Sequence, residues 1–358
     1  MNSTSGTINL TTVIDPNCPY REWYSATGLK LFHINYYVFT PAYVVVALFG
    51  HVLCLLAFYE QSKKEKAYIY QIFSTVSQTM QIIFMGCYTV SFHWFGNPNQ
   101  PGPAWFRSCY PCMVFAAYVP IALLNMFITS SEFFALFMSA DRLYAMWKPF
   151  QYKSIKVKRN HLVAAVSSLF IGVSTSIFQF FRLNVRVSNA NGENIILMYE
   201  IAPNVALTNS LLGNVLNQLR NVVRGLGVLA LSACNIGLIW FYRKRNKETS
   251  KVLASSQENR RAEIEKTLVI LTVVQSLCLA TSMGLSISYY TAVYISPAFF
   301  ACMSALYIPI LDMMVNMSDL CDFLCVFLVS KAFRKMIFGA MPCCRKQNAV
   351  SSVPAGLQ

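Results

Sequence analysis

An acid and an arginine stand side by side at Asp141-Arg142, where a long apolar run gives way to a basic loop. Inside a bilayer such charges cost several kcal/mol; at its edge they can latch helices together and exchange partners when the helices move. Glu132 interrupts that same run, and Asp312, Asp319 and Asp322 interrupt the last one. At about 100° per residue, the last three share one helix stripe with Asn316. Ionisable groups at that depth are functional candidates by default, as counter-ions, switches or proton carriers. Gln78, Glu132, Asn316 and Asp319 form a candidate polar core, read either as a hydrated cation site or as hydrogen-bonding groups that switch. The switching role is favoured. No catalytic constellation accompanies them. The sequence has no Gly-rich phosphate loop, no Gly-x-Ser-x-Gly and no His-Glu-x-x-His, and its 4 histidines are isolated from one another. Neither an enzyme nor a cofactor is expected.

A second set lies toward the opposite end of the same runs: Tyr118, Asn125, Arg224, Tyr289, Tyr307 and Asp312. Small-molecule sites are mostly apolar cavities with a few polar anchors, which makes these the ligand-binding candidates. Arg224 has two expected roles, meeting an anionic ligand or pairing with Asp312. His51 reads as a buried hydrogen-bonding residue.

The elements that must hold these residues are membrane helices. Only 12% of the 358 residues are charged, about half the share of a soluble domain. Apolar residues fall into blocks near 36–59, 68–92, 111–138, 161–181, 222–242, 267–290 and 297–329, each long enough for the roughly 20 residues that cross a hydrocarbon core. The fold expected is all-α, a seven-transmembrane helix bundle, with a tail over 1–35, the bundle over 36–329 and a cytoplasmic helix and tail over 330–358. Of the 29 Lys and Arg residues, 22 fall in alternate connections and the C-terminal tail, against 7 on the other side. The positive-inside rule then puts the N-terminus outside. The net charge of +14 is accounted for by this signal and by anionic lipid, without nucleic acid.

No apolar signal-peptide core precedes the first block. Asn2 and Asn9 each open an Asn-x-Thr/Ser triplet and are glycosylation candidates. Cys54, Cys87, Cys234, Cys278, Cys321 and Cys325 lie inside apolar blocks and read as small buried residues. A disulfide from Cys18 to Cys109 or Cys112 would tie the tail to the third helix. Residues 331–338 have one apolar and one basic face and read as a short amphipathic eighth helix on the bilayer surface. Cys343 and Cys344 after it are palmitoylation candidates.

Seven spans, an outside N-terminus and Asp141-Arg142 followed by Leu143, Ala145, Pro149 and Tyr152 resemble the rhodopsin-like G-protein-coupled receptors. Phe333-Arg334 resembles the start of their eighth helix, and Asp322 falls near their seventh-helix motif. Departures are many: Gly50-His51 stands in place of Gly-Asn, the sixth span has no Trp-x-Pro, the fourth has no Trp, and no Cys lies between Arg182 and Asn221. A receptor keeping the third-helix signature without the other markers is similar to the nematode serpentine chemoreceptors. The resemblance implies a plasma-membrane or sensory-cilium receptor for an extracellular small-molecule cue, coupled to a heterotrimeric G protein. In that scheme Asp141, Arg142, Leu143, Pro149, Tyr152 and Asp322 form the switch and coupling surface, and Arg142 rests on Asp141, Glu263 or Glu265. Two rivals remain: a neuropeptide receptor, whose 182–221 loop would be a lid, and a transporter or channel using Glu132, Asp312, Asp319 and Asp322. Against the latter, no inverted repeat is visible.

Overall fold

The computed structural model describes residues 21–63, 68–96, 103–154, 157–181, 183–188, 198–208, 210–249 and 297–329, Arg334, and part of 266–288. Helix α1 (Arg21–His33) runs through a π-helical stretch, Ile34–Phe39, into α2 (Thr40–Ser62). Then come α3 (Tyr68–Tyr88), a second π stretch Thr89–Gly96, and the short α4 (Ala104–Ser108). Next are α5 (Tyr110–Trp147), α6 (Pro149–Ser154) and α7 (Val157–Ser176), which ends in a 3-10 turn, Ile177–Phe180. After a two-stranded hairpin, β1 (Leu183–Ser188) and β2 (Met198–Pro203), follow α8 (Val205–Thr208) and α9 (Leu211–Thr249). The apolar α10 (Thr272–Leu285) and α11 (Pro297–Val329) close the order.

The architecture is a seven-helix membrane bundle built from α2, α3, α5, α7, α9, α10 and α11. Four segments are long and apolar enough to cross a bilayer on length and composition: Ala26–Ser62, Tyr110–Trp147, Arg159–Phe180 and Leu211–Lys244. Helices are the only open-ended element that satisfies every backbone group within lipid. Their outward faces are apolar, as Val45, Val46, Phe49, Val52 and Leu56 along α2 illustrate.

Helix α5 is the axis, packed against α3, α7 and α9. Its approach to α7 depends on one glycine. A Cβ on Gly172 would sit 2.6 Å from the backbone oxygen of Met126 and collide with Ser130 Oγ. Small residues allow such contact in membranes, where no hydrophobic force draws helices together. At one end of α5, Phe106, Met113, Ala116, Ala117 and Ile201 form a cluster beneath the hairpin. At the other, Tyr70, Met138 and Ala164 join α3, α5 and α7. These are called the hairpin end and the Arg142 end below.

Three features depart from the sequence reading. The 182–221 loop is shorter than expected: β1 and β2 pair antiparallel, Leu183 with Pro203 through Ser188 with Met198, and α9 already begins at Leu211. Cys109 and Cys112 bond to each other, Cα atoms 5.3 Å apart, so neither ties the tail through Cys18, which lies outside the described residues. Entry into α5 brings positions three apart onto one face, within disulfide range. Third, α1 makes residues from Arg21 helical. Of the expected eighth helix only Arg334 is described; its guanidinium donates to the carbonyls of Phe327 (3.4 Å) and Leu328, among the last of α11. Asn2, Asn9, Cys343 and Cys344 lie outside the described residues.

Candidate functional site

At the Arg142 end, Asp141 and Arg142 occupy the last turns of α5, with carboxylate and guanidinium 3.6 Å apart. Pro149, exposed, opens α6, where its fixed φ suits a first helical turn and no amide bond is lost. That turn carries Tyr152 back toward α5, and its hydroxyl donates to Asp141 Oδ2 at 2.9 Å. Asp141 therefore holds two partners, the arginine and the phenol. Leu143 is not on an open surface: Gly237 of α9 packs on it, so that a Cβ at that position would lie 3.1 Å from a Leu143 methyl. Glu263 and Glu265 lie outside the described residues. Asp319 and Asp322 sit on α11, and their side chains are outside the described set.

Midway along α5 lies an ion pair that the sequence reading did not join. Arg224 of α9 grips Glu132 of α5 with two parallel bonds, Nε to Oε2 at 3.1 Å and Nη2 to Oε1. Both residues are buried, Glu132 7% and Arg224 8% exposed. The expected pairing of Arg224 with Asp312 does not occur, because Glu132 takes the guanidinium. Helix α9 begins eleven positions before the hydropathic block, which carries Arg220 and Arg224 into the bundle instead of to a headgroup.

The pair is the middle rung of a polar seam. Toward the hairpin end, Arg220 Nη1 donates to Asn125 Oδ1 at 3.3 Å; toward the Arg142 end, Ser139 Oγ donates to Asn235 Oδ1 at 3.3 Å. Asn125, Glu132 and Ser139 recur every seven residues, so they share one face of α5. That heptad was the signal in the sequence for the seam. The helices close on small residues, Gly227 against Phe133 between the last two rungs and Gly237 against Leu143 beyond the Ser139 rung.

The remaining candidates separate. Gln78 is buried in α3 and His51 in α2. The His51 ring nitrogen Nδ1 lies 3.3 Å from Thr79 Oγ1, in line with the hydrogen-bonding role read for it. Asn316 is buried on α11. Tyr307 shares a 2.6 Å hydrogen bond with Ser288, and Tyr289 is outside the described residues. Tyr118 lines a recess of about 450 Å³ with Phe180, Phe181, Asn184 and Asn204, between α5 and the base of the hairpin. Asp312 of α11 accepts from the hydroxyl of Tyr36.

Tyr36 belongs to a junction that the sequence reading missed. Its ring stacks on His93 with centroids 3.8 Å apart. Trp94 Nε1 donates to the Tyr36 carbonyl at 2.9 Å, and Tyr37 Oη donates to the His93 carbonyl at 3.4 Å. Both carbonyls lie in the π stretches, whose altered ladders interrupt regular α-helical pairing; such stretches concentrate at functional sites.

No protein-family model matches this chain, and no curated protein matches its sequence. A solved structure does: squid rhodopsin superposes over 92% of this chain and 88% of its own, with a TM-score of 0.61 at 13% sequence identity. The fold is that of the G-protein-coupled receptors. At such low identity the likeness speaks for the arrangement of helices, and the side-chain chemistry at either end is this chain's own.

Proposed function

We propose that this protein is a plasma-membrane receptor that binds a small extracellular molecule at the hairpin end and activates a heterotrimeric G protein at the Arg142 end. The observation that carries the reading is the Asp141 latch: one carboxylate shared by Arg142 and Tyr152 at the end of the axial helix. The Arg142 end is cytoplasmic in this reading. Burial of Arg220 and Arg224 inside the bundle removes both from the loop charges on the other side, which strengthens the positive-inside asymmetry.

Signalling is then a population shift. A ligand that prefers the arrangement with the latch open moves the equilibrium by its differential affinity. Opening frees the Arg142 guanidinium for the G protein, with Pro149 and α6 beside it. The recess at Tyr118 has the volume of a small-molecule site, and the hairpin packs against α5 beside it. This favours a chemosensory cue over a neuropeptide. The transporter reading loses one of its four acids, because Glu132 is neutralised by Arg224.

The test is expression with a promiscuous G protein, recording second messenger and membrane current during a screen of odorants and peptides. A ligand-driven messenger signal that disappears in Arg142→Ala is the expected result. A flux or conductance indifferent to that substitution would overturn the reading.

A further inference from the structure

We infer that the junction of the first, second and seventh helices at the hairpin end is a binding site for a small organic ammonium ion. Asp312 takes the charge, and His93 supplies a second polar anchor. The inference rests on the receptor reading for the side from which the ligand arrives.

Asp312 is a half-buried carboxylate with no cationic side chain within ion-pair distance among the described residues; its one hydrogen bond there comes from Tyr36. That bond occupies Oδ2 and leaves Oδ1 to receive a donor. Elsewhere the same bundle pairs its buried acid with an arginine, so an uncompensated acid here is a departure from the protein's own practice. Buried charges are normally paired, and a bound ammonium ion would supply the partner that the described residues do not.

His93 points to the same place. It is 7% exposed, yet neither Nδ1 nor Nε2 has a hydrogen-bond partner among the described residues. A neutral imidazole carries one donor and one acceptor, and buried polar atoms are nearly always satisfied. The imidazole is surrounded by rings: Tyr36 stacked at 3.8 Å, Tyr88 edge-on at 5.1 Å, Phe92 at 5.2 Å and Phe32 at 5.3 Å. Tyr36 spans the two anchors, its ring on His93 and its hydroxyl on Asp312.

Every element of this surround selects a cation. The one formal charge is negative, the ring faces are negative, and ring faces bind ammonium groups. An anion would meet the carboxylate head-on. A metal ion lacks ligands, because no cluster of three His, Cys, Asp or Glu side chains exists among the described residues. The site is distinct from the recess at Tyr118, whose lining carries no charge.

The experiment uses the full-length receptor purified into nanodiscs, with no G protein present, so that binding is read apart from signalling. The probes are 2-phenylethylamine, methylammonium and the neutral 2-phenylethanol, followed by thermal shift and by isothermal titration at pH 7. Saturable binding of an amine, at least ~10-fold tighter than the alcohol, is expected, since a charge-assisted bond contributes about that factor. Asp312→Asn should lower amine affinity at least ~10-fold and leave alcohol binding unchanged, while Phe170→Ala, on the outward face of α7, should leave both unchanged. If Asp312→Asn fails to reach the membrane, His93→Phe, which keeps a ring in the aromatic surround, is expected to weaken amine binding instead. Equal affinities for amine and alcohol, amine binding indifferent to these substitutions, or no amine binding up to about 10 mM would overturn the site. Binding without any messenger response in cells would instead count against the receptor reading and leave the site standing.

Discussion

Removing the carboxylate charge from the middle rung isolates the most consequential contact in the bundle. Glu132→Gln keeps the side chain's shape and one acceptor oxygen but strands the Arg224 guanidinium, which is 8% exposed. At an effective dielectric of about 20, unit charges about 4 Å apart attract by about 4 kcal/mol. Breaking a buried pair on one side costs about 3–5 kcal/mol by mutation. The two figures agree, and a loss of about 3–5 kcal/mol is predicted for Glu132→Gln, with a similar loss for Arg224→Gln. The double variant Glu132→Gln/Arg224→Gln carries no stranded charge, because the two carboxamides can hydrogen-bond to each other. It should recover at least about 2 kcal/mol relative to the sum of the singles. The assay is reversible unfolding of the detergent-solubilised protein by denaturant, completed as a double-mutant cycle. Additive losses within about 0.5 kcal/mol would refute the reasoning, since two residues that add in this way do not share a buried contact.

Other outcomes follow from the same geometry. Tyr152→Phe removes the 2.9 Å bond to Asp141, a loss of about 1 kcal/mol from the latched state; basal second-messenger output should rise by about fivefold, and an unchanged baseline would separate Tyr152 from the latch. Gly172→Ala drives a methyl into Met126 and Ser130, an overpacking of about 1–3 kcal/mol, so surface expression should fall, whereas Gly86→Ala, whose new methyl would meet Val44 at 3.5 Å, should be tolerated. Non-reducing peptide mapping should recover one fragment that joins Cys109 to Cys112 and is unaffected by Cys18→Ser. An epitope placed before Asn2 should be detected on intact cells, and glycosidase treatment should lower the apparent mass of wild type but not of the Asn2→Gln/Asn9→Gln variant.

The helices were legible because lipid asks for long apolar blocks, and alternate connections carry the basic residues. Hydropathy failed where a helix satisfied its charges across the bundle. Residues 211–221 include Asn214, Asn217, Gln218, Arg220 and Asn221, which read as loop and are helix, because Asn125 and Glu132 await the arginines on the facing surface. The heptad of Asn125, Glu132 and Ser139 was present in the sequence; its partners, some 92 to 96 positions away, were not. Asp141 and Tyr152 could be placed together because eleven residues and a proline turn separate them. The junction at His93 was invisible for another reason. π-helical stretches change which carbonyls are available without leaving a mark in the apolar pattern.

The seam between α5 and α9 also constrains how a signal can travel. Three polar rungs along parallel helices act as detents against sliding, since a one-turn slip would leave every rung unmatched. Rotation about the middle rung is the motion left. About 20 Å of α9 lies on the hairpin side of Arg224 and about 38 Å on the other. The helix is thus an unequal lever with its fulcrum inside the bundle, and a displacement of 1 Å at the hairpin end becomes about 2 Å at the Arg142 end.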